Sequence, residues 1–376
     1  MKRIVFIVIL ALLVTLLPTP ISATSWYDSN WSYCKSITLS RASGAVTNYQ
    51  MKLLVGESSS ATGEDVDCGA NCQADFDDLR FVTSDNSTVL DYWIESISGS
   101  TPNQLATIWI EFNSIGTSAT TFYMYYGNST ATAYSNISDT FIKGDDFEWG
   151  ANSDNMSTSG GSITWSVPNG SATISTAQKY GGTRSARLNY GAAQPQLNAS
   201  VTATDDTALS IRGYITSDNA YFHALIWGDA TKRSYIWIDT NRHIYYYDTA
   251  TRDTGSIVTN NVWFSLEIRN VNFTAGTYDL WFNGSAIKTG AAMAAGTEYT
   301  NIVHFVSYNG AGYGYIDNFI VRQYLATEPA WGSWGSAETV QAGNFAAVSS
   351  VVNASISKIM GVAIDSITKL IKLGHD

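Results

Sequence analysis

Apolar and polar positions alternate with a period of two through the first part of the chain. The alternation is clearest over residues 49–55 and recurs around residues 79–81, 108–112 and 122–126. Such a pattern predicts β-strands that turn one face to a core. Polar and glycine-containing stretches separate the strands, and no segment here has a helical period of useful length. The first part of the chain is therefore expected to be an antiparallel β-sandwich.

A second run of strands, richer in aromatic residues, extends from about residue 141 to residue 324. One of these strands ends at Asn283-Gly284, a dipeptide that is typical of a tight hairpin turn between apolar runs. The fold class is therefore predicted to be all-β, with two β-sandwich (jelly-roll) domains in tandem. The expected boundaries are 24–140 for the first domain and 141–326 for the second.

The N-terminus follows a different pattern. Met1-Lys2-Arg3 precede an apolar stretch that ends at prolines and at the small residues Ser22-Ala23. This arrangement predicts a secretory signal peptide over residues 1–23. The mature chain is therefore expected to be extracellular or on the cell surface.

The C-terminus also departs from the strand pattern. Residues 327–343 are expected to be a linker, and apolar residues at steps of three and four over 344–373 predict an amphipathic helix. Charged residues interrupt this helix, so it is not expected to span a membrane. Self-association, contact with a membrane surface and docking onto another subunit all remain open as its role.

Composition narrows the choice of partners. The chain has 32 acidic against 21 basic residues and a net charge of −11, which argues against nucleic acid as a partner. Asn-X-Ser/Thr sequons are numerous, for example at Asn86 and Asn128. They indicate either a glycosylated surface or only a composition rich in Asn, Ser and Thr.

The three cysteines suggest a disulfide and one spare thiol. In an exported chain, Cys68 and Cys72 are expected to close a short disulfide loop, which leaves Cys34 as a buried thiol. A zinc site is not expected, because the spacing lacks a second pair of ligands and there is no His between residues 24 and 222.

Six short segments follow one another in order over about a hundred residues of the first module. They are Trp31-Ser32-Tyr33, Asn48-Tyr49-Gln50, Asp77 to Phe81, Leu90 to Glu95, Ile108-Trp109-Ile110 and Tyr123 to Asn128. In these segments the module resembles the family called domain of unknown function 2341 (DUF2341), which occurs in exported archaeal and bacterial proteins. The resemblance implies a place outside the cell and no particular activity.

Four segments of the second module are similar to a concanavalin A-like jelly roll of the laminin-G and MAM type. They are Asp145 to Trp149, Gly181 to Leu188, Trp263 to Ile268 with Tyr278 to Gly284, and Tyr315 to Val321. Such modules usually bind glycans or protein surfaces, and a minority are hydrolases. Because the first and last strands of this fold lie side by side, the resemblance brings Asp146 and Glu148 near Asp317.

Three carboxylates at that place can hold a structural Ca²⁺ ion, since a hard cation takes several oxygen ligands. Calcium is therefore the one cofactor expected, with Asp146, Glu148 and Asp317 as its ligands. The alternative is that these acids only cap strand ends and accept hydrogen bonds from turn amides.

Aromatic residues supply the candidate ligand site. On two neighbouring strands Tyr235, Trp237, Tyr245 and Tyr247 alternate with aliphatic or other residues. If the isoleucines face the core, these four rings face solvent, where they can stack on sugar rings and hydrogen-bond hydroxyl groups. The alternative is that the rings fill the core of the sandwich, because large aromatic residues are buried on average.

Catalysis is not expected. Asp91 and Glu95 share a strand face, but four residues of strand span about 13 Å, which is too far for a hydrolytic pair. The leading hypothesis is an exported cell-surface protein that binds a glycan or glycoprotein. One alternative is a structural surface or appendage subunit that assembles through residues 344–373, and a further one is a polysaccharide hydrolase.

Overall fold

The structure is a computed structural model that is built almost entirely from strands. It describes residues 26–340 except 43, 159–160, 162, 190–192, 217–220 and 309–311, together with 358–359 and 362–363. In the part described, helix is limited to α1 (Ile137–Thr140), a single turn capped by the Asn136 side chain, and no helix there is long and apolar enough to cross a bilayer. The all-β class is confirmed. The predicted signal peptide lies outside the described residues.

Eight strands before α1 build most of the first module. They are β1 (Tyr33–Ser40), β2 (Tyr49–Gly56), β3 (Val66–Asp67), β4 (Arg80–Thr83), β5 (Val89–Leu90), β6 (Tyr92–Ser98), β7 (Leu105–Phe112) and β8 (Thr120–Tyr126). One sheet has the order β3-β2-β7-β6, and the other contains β1-β8-β4-β5. The two sheets pack face to face as a sandwich.

Alternate side chains of these strands meet in the core of the first module. On β2 and β7, Leu53, Val55, Ile108 and Ile110 are at most 1% exposed, and they pack with Phe122 of β8 in one cluster. Burying each such side chain stabilises the fold by about 1.5–3 kcal/mol. The period-two pattern therefore predicted the inward face of this module correctly.

Sixteen strands form the second module. They are β9 (Lys143–Asp145), β10 (Trp165–Ser166), β11 (Ser171–Ser175), β12 (Ser185–Asn189), β13 (Gln196–Ser200), β14 (Thr207–Ile215), β15 (Tyr221–Gly228), β16 (Lys232–Ile238), β17 (His243–Tyr247), β18 (Thr251–Ile257), β19 (Phe264–Asn272), β20 (Thr277–Phe282), β21 (Ser285–Ala292), β22 (Ala294–Ala295), β23 (Ile302–Tyr308) and β24 (Gly314–Gln323).

These strands make two eight-stranded sheets. The inner sheet, which faces the first module, has the order β11-β12-β24-β14-β19-β20-β21, with β9 beside β24. The outer sheet has the order β10-β13-β23-β15-β16-β17-β18, with β22 beside β16. Fully buried residues such as Leu266 and Ile268 from the inner sheet and Ile236 and Phe305 from the outer sheet fill the space between them.

Two details of the second module agree with the sequence. The first strand, β9, pairs with the last, β24, so that Asp145 lies opposite Phe319. Asn283 and Gly284 have φ values of 46° and 78° and connect β20 to β21. Positive φ at both central residues is what a tight hairpin turn requires.

The segment 327–343, which the sequence predicts to be a linker, instead contains two strands of the first module. β25 (Ala330–Trp334) and β26 (Glu338–Thr339) both pair antiparallel with β1. Trp331 and Trp334 of β25 pack against the core of the first module. The chain thus returns to the first sandwich after building the second, and the linker interpretation is corrected.

The C-terminal region lies almost wholly outside the described residues. Of the predicted helix 344–373, only β27 (Lys358–Ile359) and β28 (Val362–Ala363) are described, and they pair with each other as antiparallel strands. These four residues are therefore not helical, contrary to the prediction. The proposed roles of this helix remain predictions.

Candidate functional site

Four aromatic side chains form a row on the solvent side of the outer sheet. Tyr235 and Trp237 extend from β16, and Tyr245 and Tyr247 extend from β17. Trp237 lies opposite Tyr245, and the two ring centroids are 5.5 Å apart with 14° between the ring planes. Tyr235 lies 5.2 Å from Trp237 and 6.5 Å from Tyr247. We call this continuous aromatic surface the aromatic row.

The residues between these rings point into the core. Ile236, Ile238 and Ile244 have no exposed surface, and Tyr246 is 7% exposed. In contrast, three rings of the aromatic row are half-buried and the fourth, Tyr247, is 36% exposed. Successive side chains on a strand point to opposite faces, so a core of isoleucines holds the rings outside. The structure thus places the four predicted rings together on the surface, and their binding role stays a prediction.

Charged groups flank the aromatic row. The Arg233 guanidinium lies 5.6 Å from the ring centroid of Tyr235. At the other end, Nδ1 of His243 lies 2.8 Å from Oδ2 of Asp253. A hydrogen bond from a backbone amide, supported by the contact with His243, holds the pKa of Asp253 below its usual range. This carboxylate is therefore ionised at neutral pH and can accept hydrogen bonds.

The three predicted calcium ligands lie at one end of the second module, where β9 meets β24. Asp317 is fully buried, and its two carboxylate oxygens accept hydrogen bonds from the backbone amides of Tyr180, at 2.8 Å, and Asn318, at 2.9 Å. Burial raises the pKa of Asp317 to about 8. A carboxyl group with a raised pKa is a poorer cation ligand at neutral pH, because part of it is protonated.

The other two carboxylates also bind protein donors. Glu148 accepts hydrogen bonds from the amides of Thr183 and Arg184 at 2.7 and 2.8 Å, and Asp146 accepts one from the Glu148 amide at 3.3 Å. This is the arrangement expected if the acids cap turns. No group of three or more His, Cys, Asp or Glu side chains in the described ranges is arranged to hold a metal ion. Calcium binding stays a prediction without support from this geometry.

The cysteines differ from the prediction. Cys68 and Cys72 are free thiols in the structure, so the expected disulfide is not formed. Their side chains are instead hydrogen-bonded, and burial together with this bond raises the pKa of Cys68. Cys34 is buried as predicted, and burial followed by the charge of Glu338 raises its pKa to about 12. A thiol with such a pKa is protonated and unreactive at neutral pH.

A cleft of about 890 Å³ lies between the two modules. One wall comes from β2, β6 and β7 of the first module, and the facing wall comes from β14, β19, β20 and β24 of the inner sheet. Half of the lining residues are charged or aromatic, namely Tyr49, Lys52, Glu95, Trp109, Arg212, Glu267, Arg269, Trp281, Arg322, Glu328 and Trp331. We call this space the intermodule cleft.

Glu95 of β6 links the two walls of the intermodule cleft. Its side chain is 3% exposed, forms an ion pair with Arg212 of the inner sheet, and lies 3.2 Å from Nζ of Lys52. It also accepts a hydrogen bond from Nε1 of Trp109 at 2.9 Å. Burial alone would raise the pKa of Glu95, but the two cations and the hydrogen bonds outweigh burial and hold the pKa at about 2. Glu95 is therefore fully ionised at neutral pH.

A second charge network lies on β19 and β24 of the inner sheet. Glu267 forms ion pairs with Arg269 at 2.8 Å and with Arg322 at 3.4 Å. Arg322 also lies 2.9 Å from Glu328, whose other contact is a 2.8 Å hydrogen bond from the hydroxyl of Tyr49. This network joins a strand of the second module to β2 and to the segment that returns to the first module.

No local pattern in the sequence predicts the intermodule cleft. From the sequence alone, Glu95 is weighed for a chemical role only together with Asp91, as two carboxylates that are too far apart for hydrolysis. A partial signal was present, because Arg212, Glu267 and Arg269 stand at the non-core positions of β14 and β19. Such positions are usually assigned to solvent, and nothing in the local pattern shows that two such faces meet.

The fold defines a protein of two β-sandwich modules. The model of the family described as domain of unknown function (DUF2341) matches residues 75–175, which confirms the resemblance of the first module and extends past α1. No curated protein matches the chain.

Several solved structures show limited similarity to the chain. The cellulose-induced protein Cip1 is 16% identical with a TM-score of 0.34, covering 47% of this chain and 95% of its own. The binding domain of botulinum neurotoxin DC in complex with SialylT is 13% identical with a TM-score of 0.36, covering 51% of this chain and 50% of its own. A carbohydrate esterase from the Shiga toxin-encoding bacteriophage phi24B is 14% identical with a TM-score of 0.32, covering 43% of this chain and 90% of its own. Similarity at this level identifies no function.

Proposed function

We propose that this protein is exported and binds carbohydrate through the aromatic row, without catalysis. The observation that carries the proposal is the position of four adjacent rings on the solvent side of the outer sheet, above a core of isoleucines. Aromatic faces stack on the apolar faces of sugar rings, and polar groups nearby can bind hydroxyl groups.

The geometry of the aromatic row favours a ligand with several sugar units. Trp237 and Tyr245 stack on each other, and Tyr235 and Tyr247 extend this pair to a surface longer than one sugar ring. Arg233 and Asp253 provide a donor and an acceptor at the two ends. A connected aromatic surface on a solvent-exposed face of a sheet is typical of a binding site.

Export and the lack of catalysis rest on the sequence. The predicted signal peptide over 1–23 supports export, and the chain lacks the spaced acidic, Ser or His motifs of known hydrolase classes. A glycan or glycoprotein of the cell exterior is therefore the proposed partner.

A glycan array probed with the mature chain tests the proposal, followed by titration calorimetry with the best oligosaccharide. Trp237→Ala removes the central ring, and the loss of one stacked pair is worth about 1 kcal/mol, or about fivefold in affinity. Tyr313→Ala is the matched control, because Tyr313 is 41% exposed and lies next to the inner sheet. The control is expected to bind as the unmodified protein does.

Two results would contradict the proposal. One is an array with no signal above a denatured sample of the same chain. The other is equal affinity in Trp237→Ala and the unmodified protein, provided that circular dichroism shows both to be folded.

A further inference from the structure

We propose that the intermodule cleft is a second ligand site, independent of the aromatic row, and that it binds an acidic saccharide. One anionic group of the ligand lies near Lys52 and Arg212, with its sugar ring at Trp109, and a second lies near Arg269, with its sugar ring at Trp281. The two sites lie on opposite faces of the second module, because one belongs to the outer sheet and the other to the inner sheet.

The size and composition of the intermodule cleft fit a small ligand. Its volume of about 890 Å³ falls within the range of pockets that enclose small molecules. Its walls combine charged groups with three tryptophans, Trp109, Trp281 and Trp331. If these side chains served only to form ion pairs between the modules, the two facing sheets could meet without leaving this open volume.

The lining of the intermodule cleft has one more base than acids, with Lys52, Arg212, Arg269 and Arg322 against Glu95, Glu267 and Glu328. Two of the acids are shielded, since the Glu95 side chain is 3% exposed and that of Glu267 is 15% exposed. The third, Glu328, is 42% exposed and is paired with Arg322. Three of the bases present more surface than the shielded acids, with side-chain exposures of 43% for Lys52, 21% for Arg212 and 22% for Arg269. In a chain with a net charge of −11, a basic cleft selects for anions.

Each of two tryptophans is paired with a cation. Nζ of Lys52 lies 4.9 Å from the ring centroid of Trp109, and the guanidinium of Arg269 lies 4.0 Å from that of Trp281. In an acidic saccharide the charged group is attached to the sugar ring. One sugar unit can therefore contact an indole with its ring and the neighbouring cation with its charged group.

Unpaired donors belong to the same lining. Nε1 of Trp281, Nε of Arg269 and Nδ2 of Asn318 are buried and have no hydrogen-bond acceptor among the described residues. A buried donor without an acceptor costs free energy. Small shifts of these side chains toward a bound saccharide would give them its ring, hydroxyl or carboxylate oxygens as acceptors.

The test is titration calorimetry of the mature chain with a trimer of galacturonic acid and with a neutral galactose trimer. We expect the acidic trimer to bind at least tenfold more tightly and to weaken as salt is added. Arg269→Gln and Lys52→Gln are each expected to weaken it about fivefold. Lys143→Gln, which changes an exposed lysine of β9, is the matched control and should have no effect.

Equal binding of the two trimers, or no effect of either cleft substitution in folded protein, would overturn the proposal. A sulfated galactose trimer shows whether a carboxylate is required or any anionic group suffices, and weak binding of both anions also contradicts the site. Trp237→Ala separates the two proposals, since it should weaken glycan binding at the aromatic row and leave the acidic trimer unaffected.

Discussion

Replacement of Glu95 by glutamine should reveal how strongly the charge network in the intermodule cleft stabilises the protein. The pKa of Glu95 is about 2 in the folded chain against 4.5 for the free side chain. A difference of about 2.5 units corresponds to about 3 kcal/mol, since each unit is worth about 1.4 kcal/mol. Glu95→Gln removes the negative charge between Arg212 and Lys52, so we expect a loss of about 3 kcal/mol at pH 7.

The pH dependence of this loss follows from the direction of the pKa shift. A carboxyl group whose folded pKa is lowered stabilises the protein fully above its unfolded pKa of about 4.5. The contribution is then lost as the pH falls through about 2. The advantage of the unmodified protein over Glu95→Gln should therefore be about 3 kcal/mol at pH 7 and about 2 kcal/mol at pH 3.5.

Urea unfolding of both proteins at pH 7, 5 and 3.5 measures these values. Glu298→Gln is the matched control, because Glu298 also pairs with an arginine, Arg233, but its side chain is 70% exposed. An exposed pair contributes less than about 1 kcal/mol. A loss in Glu95→Gln that equals the control, or that does not change between pH 7 and 3.5, would refute the reasoning.

Two further predictions concern the first module. Iodoacetamide at pH 8 should label Cys72 in the native protein and leave Cys34 unlabelled, because burial raises the pKa of Cys34 to about 12. Peptide mass spectrometry measures the labelling of each cysteine. Fast labelling of Cys34 would contradict the prediction. Gly332→Val should cost about 1–3 kcal/mol, since a Cβ there would lie 2.8 Å from a backbone oxygen of β1. Ser333→Val, at an exposed position of the same strand, should be nearly neutral in thermal unfolding.

Local patterns were sufficient for most of the fold. Alternation with a period of two is a property of each strand by itself, so it identified the inward residues of β2, β7 and β8. The same rule put Ile236 and Ile244 on the face opposite to the four rings, but it left open which face is buried, and the structure shows that the isoleucines are in the core. The turn at Asn283-Gly284 needs only its own two residues, which is why it too could be predicted.

Features that depend on contacts between distant parts of the chain could not be predicted from local sequence patterns. The segment that contains β25 has the sequence Ala330-Trp331-Gly332-Ser333-Trp334, which has no branched aliphatic residue and has a central glycine. It is a strand because β1 offers a free edge nearly three hundred residues earlier in the chain. The intermodule cleft has the same origin, because its walls belong to different modules and the Glu95–Arg212 ion pair forms only when the two sheets meet.

The return of the chain to β1 also bears on how the intermodule cleft binds. The second module is joined to the first at both of its ends, once before β9 and once between β24 and β25. At the first junction Ile137 and Phe141 pack with Trp93 and Ile320, and at the second Arg322 is held by Glu328. Two junctions restrict relative rotation of the modules far more than one linker would. The walls of the cleft are thus set before a ligand arrives, which reduces the entropy lost on binding.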